Sequence, residues 1–211
     1  MSAPRLPRLY AIVDPQGTDR SPFDLAAAYL AGGARLLQLR LPGATARVLF
    51  EAALALRALT RATGARLIVN DRPDVAAAVD ADGVHLGQSD VPVAVARRLL
   101  GSERWIGVST HDLAEARAAV AGGADYLGVG PVYATASKVG ALPPRGLDLV
   151  REVRALSDCP LVAVGGITPS TAPEVIAAGA DSVAMIAALA RAADPAAAVR
   201  DVLARLAPRA Q

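Results

Sequence analysis

The feature that most constrains the fold is an alternation of short apolar segments with longer helical ones, which runs from end to end of the chain. The short segments have the apolar, β-branched character of buried strands. They are Leu9–Val13, Leu36–Arg40, Leu67–Asn70, Gly83–Leu86, Trp105–Val108, Tyr126–Val129, Leu161–Val164 and Ser182–Met185. The helical segments are Phe23–Ala31, Ala46–Thr63, Asp71–Val79, Val93–Leu100, Leu113–Ala121, Leu147–Leu156, Thr171–Ala178 and Pro195–Leu206. This alternation predicts an α/β protein built from one repeated strand–helix unit.

Two architectures accommodate eight such units: an open doubly wound sheet and a closed barrel. The first strand is followed by Asp14–Gly17 and not by the glycine-rich turn of a dinucleotide-binding sheet. A similar Gly-Ala motif recurs where helices lead into strands, at Ala31–Ala34, Ala121–Ala124 and Ala178–Ala180. The even spacing favours the barrel. We predict a single-domain (β/α)8 TIM barrel over residues 1–211, with flexible ends at 1–8 and 207–211.

Charge and cysteine content restrict the partners of the chain. The formal net charge is +2 across 211 residues, which provides no basic surplus for a nucleic-acid backbone. The single cysteine, Cys159, excludes a disulfide framework. No apolar run reaches the roughly 18 residues of a membrane span, and residues 1–8 lack a signal-type apolar core. We therefore expect a cytoplasmic protein that acts on small molecules, with neither nucleic acid nor membrane as a partner.

Polar side chains collect where the predicted strands end, which is where a barrel carries its reactive groups. Period-2 alternation points Gln38 and Arg40 to the same side at the end of the second strand. The third strand ends in Asn70 and the fifth in Ser109–His111. These residues are candidates for contact with a substrate at one rim of the barrel.

Two residue types occur only once in a chain rich in arginine and alanine. Lys138 is the only lysine and Asn70 the only asparagine. Arginine cannot mimic a compact ammonium, and aspartate cannot mimic an amide. Each of these single residues therefore marks a position where arginine or aspartate would not serve, or else it occurs there by chance. Together, Arg40 and Lys138 provide the cations that a diphosphate group requires.

Asp71 and Asp90 follow neighbouring strands, so their carboxylates can converge on one hard cation. Oxygen ligands without histidine or cysteine suit Mg²⁺, which takes further ligands from water and phosphate. The alternative is structural: Asp71 caps a helix or pairs with Arg72, and Asp90 caps the helix that starts near Pro92.

The loop after the seventh strand, Gly165–Thr168, has the glycines that let backbone N–H groups approach a phosphate. A tight strand–helix turn with a threonine cap explains the same residues. His85 lies between apolar neighbours and is interpreted as a satisfied core histidine. His111 either faces the substrate or belongs to a loop whose conformation is set by helix capping from Asp112.

Taken together and in order, these motifs resemble the thiamine-phosphate synthase family, from Leu9 to about Leu206. The motifs that carry the resemblance are Gln38–Arg40, Asn70–Arg72, His85–Asp90, Ser109–His111, Gly130–Lys138 and Gly165–Thr168. The resemblance implies a transferase that joins 4-amino-2-methyl-5-hydroxymethylpyrimidine diphosphate to thiazole phosphate, giving thiamine phosphate and pyrophosphate. It also implies Mg²⁺ as cofactor and leads us to expect a homodimer.

The resemblance also assigns site residues position by position. It implies that Asp71 and Asp90 hold Mg²⁺, and it makes Arg40, Lys138 and Ser109 the catalytic residues. The implied contacts to the pyrimidine diphosphate come from Gln38, Arg40, Asn70, Ser109 and Lys138. The implied contacts to the thiazole phosphate come from Thr135, Ala136, Ser137, Gly166, Ile186 and Ala187.

Two positions depart from the family pattern. The family usually has a lysine where this chain has Pro42, and a serine where it has Ala187. One cation of the diphosphate site is therefore missing, which leaves two alternatives open: a thiazole tautomerase, which is metal-free, or a non-catalytic barrel that binds thiazole or thiamine phosphate. The Asp71 and Asp90 pair favours the synthase, because a metal-free isomerase does not need it.

Overall fold

The computed structural model describes residues 4–137 and 142–207, and these fold into a closed barrel of parallel strands. Each strand pairs with its neighbours in chain order, and β1 pairs with β8 to close the ring. The strands are β1 (Leu9–Val13), β2 (Leu36–Leu39), β3 (Arg66–Asn70), β4 (Gly83–Leu86), β5 (Trp105–Thr110), β6 (Tyr126–Val129), β7 (Leu161–Ala163) and β8 (Ser182–Met185). The predicted (β/α)8 barrel is confirmed.

Helices pack outside the ring and connect successive strands. They are α1 (Pro22–Ala31), α2 (Ala46–Thr63), α3 (Pro73–Ala78), α4 (Val93–Leu100), α5 (Leu113–Ala121), α6 (Gly146–Leu156), α7 (Ala172–Ala177), α8 (Ala187–Ala190) and α9 (Pro195–Leu206). The short α8 was not predicted from the sequence, because four residues are too few to show a helical period. No helix within the described ranges is both long and apolar enough to cross a bilayer.

Two apolar clusters, one on each face of the barrel wall, follow from the alternation of side chains along each strand. The larger cluster fills the layer between strands and helices. The smaller one fills the barrel interior and consists of Tyr10, Ile12, Leu36, Ile68, Tyr126, Val162 and Ala184, with Leu6 packed against it. The interior cluster is thus the floor on which any ligand at the rim rests.

A repeated ion pair ties the opposite end of the barrel together, and we call each copy an arginine–aspartate clamp. In each clamp, the aspartate lies just before β4, β6 or β8. Its carboxylate accepts a backbone N–H at the start of the neighbouring odd-numbered strand, β3, β5 or β7. The same carboxylate forms an ion pair with an arginine on the helix that leads into the odd-numbered strand, α2, α4 or α6. The clamps are Arg57–Asp82, Arg97–Asp125 and Arg154–Asp181. They therefore hold the amino ends of β3 to β8 in adjacent pairs, away from the polar strand ends.

Candidate active site

A cavity of about 740 Å³ lies where the carboxyl ends of the strands meet, and its volume is typical of a ligand site. Alternate residues of the strands point into it, including Tyr10 and Ile12 of β1 and Val162 and Val164 at β7. The inward positions of the strands therefore build both the floor and the wall of the cavity.

Most of the residues singled out in the sequence line this cavity. They are Gln38, Arg40, Asn70, Asp71, Ser109, Thr135, Ala136, Ser137, Gly166, Ile186 and Ala187. Asp90 is not among the lining residues. Lys138 lies outside the described residues. The structure thus brings together residues from separate segments at one rim, as a barrel requires.

Arg40 is held in place by a buried carboxylate. Its guanidinium forms an ion pair with Asp14, which directly follows β1 and is 1% exposed. The other carboxylate oxygen of Asp14 accepts the backbone N–H of Gln16 at 3.0 Å. An arginine anchored at one end in this way presents its remaining donors in a fixed orientation, which suits recognition of an anion.

Asp71 and Asp90 both follow strand ends at the rim of the cavity. Asp71 has a φ of +63° and lines the cavity, and its N–H donates to the carbonyl of His85 at 2.8 Å. Asp90 accepts the N–H of Gly87 through Oδ2 at 2.6 Å. Because β3 and β4 are parallel neighbours, both carboxylates follow strand ends at the same rim.

The structural alternatives considered for these two aspartates are wrong. The cap position of α3 is Arg72, and that arginine pairs with Asp74 rather than with Asp71. The cap position of α4 is Pro92, which leaves Asp90 to close a turn instead of capping the helix. Neither carboxylate is therefore accounted for by a helix terminus.

The residues present fit a hard cation better than a soft one. Within the described ranges, no three histidine, cysteine, aspartate or glutamate side chains form a group able to hold a metal. A cation bound by two carboxylates completes its coordination with water or substrate oxygens, which is the usual behaviour of Mg²⁺.

The glycines after β7 are required by the fold as well as by any ligand. Gly165 and Gly166 have φ values of +102° and +62°. A Cβ on Gly166 would lie 2.4 Å from the carbonyl oxygen of Ala134, and one on Gly165 would lie 2.5 Å from Pro131. The two glycines therefore let the loop after β7 pack directly against the loop after β6, and this contact joins the two segments expected to bind the thiazole phosphate.

His111 lines the cavity and is oriented by the first turn of α5. Its Nδ1 lies 2.8 Å from Glu115 Oε2, which also accepts the His111 backbone N–H at 2.8 Å. Asp112 caps the same helix by accepting the N–H of Glu115 at 2.8 Å. Asp112 caps α5, and His111 reaches the cavity wall, where its contact with the substrate stays a prediction.

A polar chain crosses the barrel floor beneath the cavity. Gln38 Nε2 lies 2.9 Å from Tyr10 Oη, which is 3.0 Å from Tyr126 Oη. Tyr126 Oη is 3.1 Å from His85 Nδ1, and His85 Nε2 is 2.9 Å from Ser109 Oγ. Both ring nitrogens of His85 are thus hydrogen-bonded, as expected for a satisfied core histidine. Burial raises the pKa of both phenols well above 10.

Three features of this site were not assigned from the sequence. Arg191 follows α8 and lines the cavity, so it adds a cation to the rim. Asp14 could have been noticed as an acidic residue directly after a buried strand. The role of Tyr10 could not have been noticed, because an inward tyrosine in an apolar strand looks like ordinary core.

The chain is similar throughout to proteins of one family. The family model described as thiamine monophosphate synthase matches residues 9–189. Thiamine-phosphate synthase of Chloroflexus aurantiacus is 50% identical over 196 residues, covering 92% of this chain and 90% of the relative. The enzyme of the same name from Moorella thermoacetica is 51% identical over 193 residues, covering 91% and 92%. The solved structure of thiamine phosphate pyrophosphorylase from Pyrococcus furiosus has a TM-score of 0.86 and 35% identity, covering 94% and 95%.

Proposed function

The chain belongs to the thiamine monophosphate synthase family of transferases, and from this membership we propose the reaction and the role of each side of the cavity. The substrates are 4-amino-2-methyl-5-hydroxymethylpyrimidine diphosphate and thiazole phosphate, and the products are thiamine phosphate and pyrophosphate. One observation carries the proposal: the described residues assigned to the two substrates line a single cavity.

The assigned residues divide the rim into two sides. One side receives the pyrimidine diphosphate. It consists of Gln38 in β2, Arg40 directly after β2, Asn70 in β3 and Ser109 in β5. The thiazole phosphate lies on the opposite side, against the loops after β6, β7 and β8. A cavity of about 740 Å³ has room for both small molecules.

The chemistry requires positioning and charge stabilisation, and no side-chain nucleophile. The bond between the pyrimidine methylene carbon and the diphosphate oxygen breaks, and its electron pair leaves with pyrophosphate. The thiazole ring nitrogen then donates its lone pair to the methylene carbon, and no proton is transferred. Departure of the anion creates a benzylic-type cation, so stabilising the leaving group and aligning the nucleophile provide the catalysis.

Arg40 has the clearest catalytic role among the described residues. The ion pair with Asp14 fixes one end of its guanidinium, and its place in the cavity wall directs the other donors at the diphosphate. Ser109 orients the pyrimidine, and Lys138, which lies outside the described residues, is assigned as a further cation for the diphosphate.

Asp71 and Asp90 would hold Mg²⁺ at the same rim. When bound, the cation would neutralise charge on the diphosphate oxygens. Replacing Asp90 by asparagine keeps an acceptor for the Gly87 N–H but removes the charge, so we expect Asp90→Asn to raise the Mg²⁺ concentration for half-maximal rate at least tenfold. The exposed Asp158→Asn is the matched control. Full turnover of Asp90→Asn in the presence of a chelator would contradict the metal assignment.

The reaction is tested by supplying both half-substrates and following pyrophosphate release together with thiamine phosphate formation. The synthase forms both products in equal amounts and only when both substrates are present. Isomerisation of a carboxythiazole phosphate alone would indicate the tautomerase. Heat of binding without any product would indicate a non-catalytic barrel.

A further inference from the structure

The polar chain across the barrel floor joins two cavity residues that are far apart in sequence. It runs from Gln38 through Tyr10, Tyr126 and His85 to Ser109, and we call these five residues the interior hydrogen-bond chain. All but Tyr126 also line the cavity. Polar contacts within an apolar floor are costly unless every group is paired, so the continuity of the chain requires an explanation.

The sequence provides space for the two rings at the centre of the chain. A Cβ on Gly107 would lie 2.0 Å from the Tyr126 ring, and one on Gly128 would lie 2.8 Å from the His85 ring. The rings of Tyr126 and His85 stack, with centroids 5.6 Å apart. The neighbouring glycines of β5 and β6 therefore fix where both rings lie.

Counting donors allows one continuous direction for the protons, from Gln38 to Ser109. An amide nitrogen only donates, so Tyr10 accepts from Gln38 and has its own proton available for Tyr126. Burial keeps both phenols protonated at neutral pH, so each has one proton to give. Tyr126 then donates to Nδ1 of His85.

The same direction sets the far end of the chain. A neutral imidazole that accepts at Nδ1 carries its proton on Nε2, and His85 therefore donates to Ser109 Oγ. The Ser109 proton is left for an acceptor in the cavity. At the other end, the remaining amide atom of Gln38 is Oε1, an acceptor. The chain thus presents an acceptor at one end and a donor at the other.

We propose that the interior hydrogen-bond chain sets substrate specificity by presenting the amide oxygen of Gln38 and the hydroxyl proton of Ser109 to the pyrimidine ring. An aminopyrimidine matches this polarity, because its amino group donates and a ring nitrogen accepts. The corresponding oxopyrimidine carries an acceptor in place of the amino donor and is rejected. The inference rests on the proposed function, and it makes Tyr10, Tyr126 and His85 positioning residues.

The direction of the chain is tested without any turnover. Long-range 1H–15N NMR spectra report which nitrogen of a histidine ring carries the proton. The protein has two histidines, and His111→Asn assigns the signals of the other. We expect His85 to carry its proton on Nε2 in the wild-type protein, and to populate both tautomers in Tyr126→Phe. A wild-type His85 protonated on Nδ1 would overturn the inference.

Specificity is tested by the ratio of kcat/KM for the aminopyrimidine diphosphate to that for its oxo analogue. Tyr126→Phe is expected to lower this ratio at least tenfold. Without the Tyr126 hydroxyl, Gln38 and Ser109 are each able to exchange their donor and acceptor roles toward the pyrimidine. Tyr10→Phe is expected to lower the ratio as well while leaving the His85 tautomer unchanged, since Tyr126 still donates to Nδ1. If neither variant changes the ratio, the chain has no role in specificity.

Tyr29→Phe is the matched control, because Tyr29 is equally buried and its hydroxyl has no hydrogen-bond partner within the described residues. We expect it to keep both the ratio and the tautomer, and a comparable loss of the ratio in Tyr29→Phe would overturn the inference. Failure of the proposed function has a different signature: the wild-type protein itself would form no thiamine phosphate. Failure of this inference leaves the formation of thiamine phosphate by the wild-type protein intact.

Discussion

Arg40 lies at the cavity wall because a second residue, Asp14, holds its guanidinium from the end of the neighbouring strand. The pair joins β1 to the residue after β2, and Asp14 is almost completely buried. A buried carboxylate of this kind is expensive to keep without a partner. The function of Asp14 is therefore to orient Arg40 as well as to close the loop after β1.

Replacing Arg40 by alanine is expected to lower kcat/KM about 100-fold or more, because a guanidinium that stabilises a leaving diphosphate contributes about 3 kcal/mol. The measurement is pyrophosphate release under saturating and limiting pyrimidine substrate. Arg117→Ala, which removes an exposed arginine of α5, is the matched control. Equal rates for the two variants would remove Arg40 from the mechanism.

Asp14→Asn is expected to lower kcat/KM about tenfold, because the amide keeps the size of the side chain but no longer anchors Arg40 by charge. A double-mutant cycle measures the dependence. If Asp14 acts through Arg40, Asp14→Asn lowers kcat/KM little further in an Arg40→Ala background. Full additivity of the two losses would show that Asp14 acts on its own.

At the scale of helices and strands, the arginine–aspartate clamps bind each odd-numbered strand from β3 onward to the strand that follows it. Each clamp combines a charge pair with a backbone hydrogen bond, so the aspartate supports two elements at once. The clamps lie at the amino ends of the strands, where barrel residues contribute to stability rather than to catalysis.

Asp125→Ala is expected to lower the free energy of unfolding by about 3 kcal/mol, because it removes the charge partner of Arg97 and the acceptor of the Ile106 N–H. Asp125→Asn keeps an acceptor and should cost about half as much. Denaturant unfolding measures both. Asp201→Ala, which breaks an exposed pair with Arg205, should cost less than about 0.5 kcal/mol. A similar cost at both aspartates would show that the clamp has no special role.

The elements could be predicted from the sequence because each one is encoded locally, by apolar period and by capping residues such as Asp112. The pairing of Asp14 with Arg40 spans 26 positions, and that of Tyr10 with Tyr126 spans 116. No local pattern encodes contacts of this kind, and they depend on the closed ring. The residues at the strand ends were predictable, whereas the long-range pairings that orient them were not.

At the scale of the whole molecule, the fold raises the pKa of every tyrosine. The pKa of Tyr133 is raised to about 12, first by burial and then by its hydrogen bond to Glu174. The pKa values of Tyr10, Tyr29 and Tyr126 are also raised, in each case chiefly by burial. These are all four tyrosines of the chain.

We therefore expect no phenolate absorbance at 295 nm when the folded protein is brought to pH 10. The unfolded chain ionises its tyrosines near that pH, so it releases protons that the folded state retains. The free energy of unfolding should accordingly fall as the pH rises above 10. Protein unfolded in guanidinium chloride is the control. Half-titration of even one tyrosine at pH 10 in the folded protein would contradict the raised pKa of that side chain.

The spacing of the clamps also bears on the order in which the ring assembles. Their partners are 25, 28 and 27 residues apart, whereas β1 and β8 come from opposite ends of the barrel sequence. Contacts between nearby residues require less loop closure and form sooner. We expect β3 to β8 to dock pairwise first, so the contacts between β1 and β8 that complete the cavity form last.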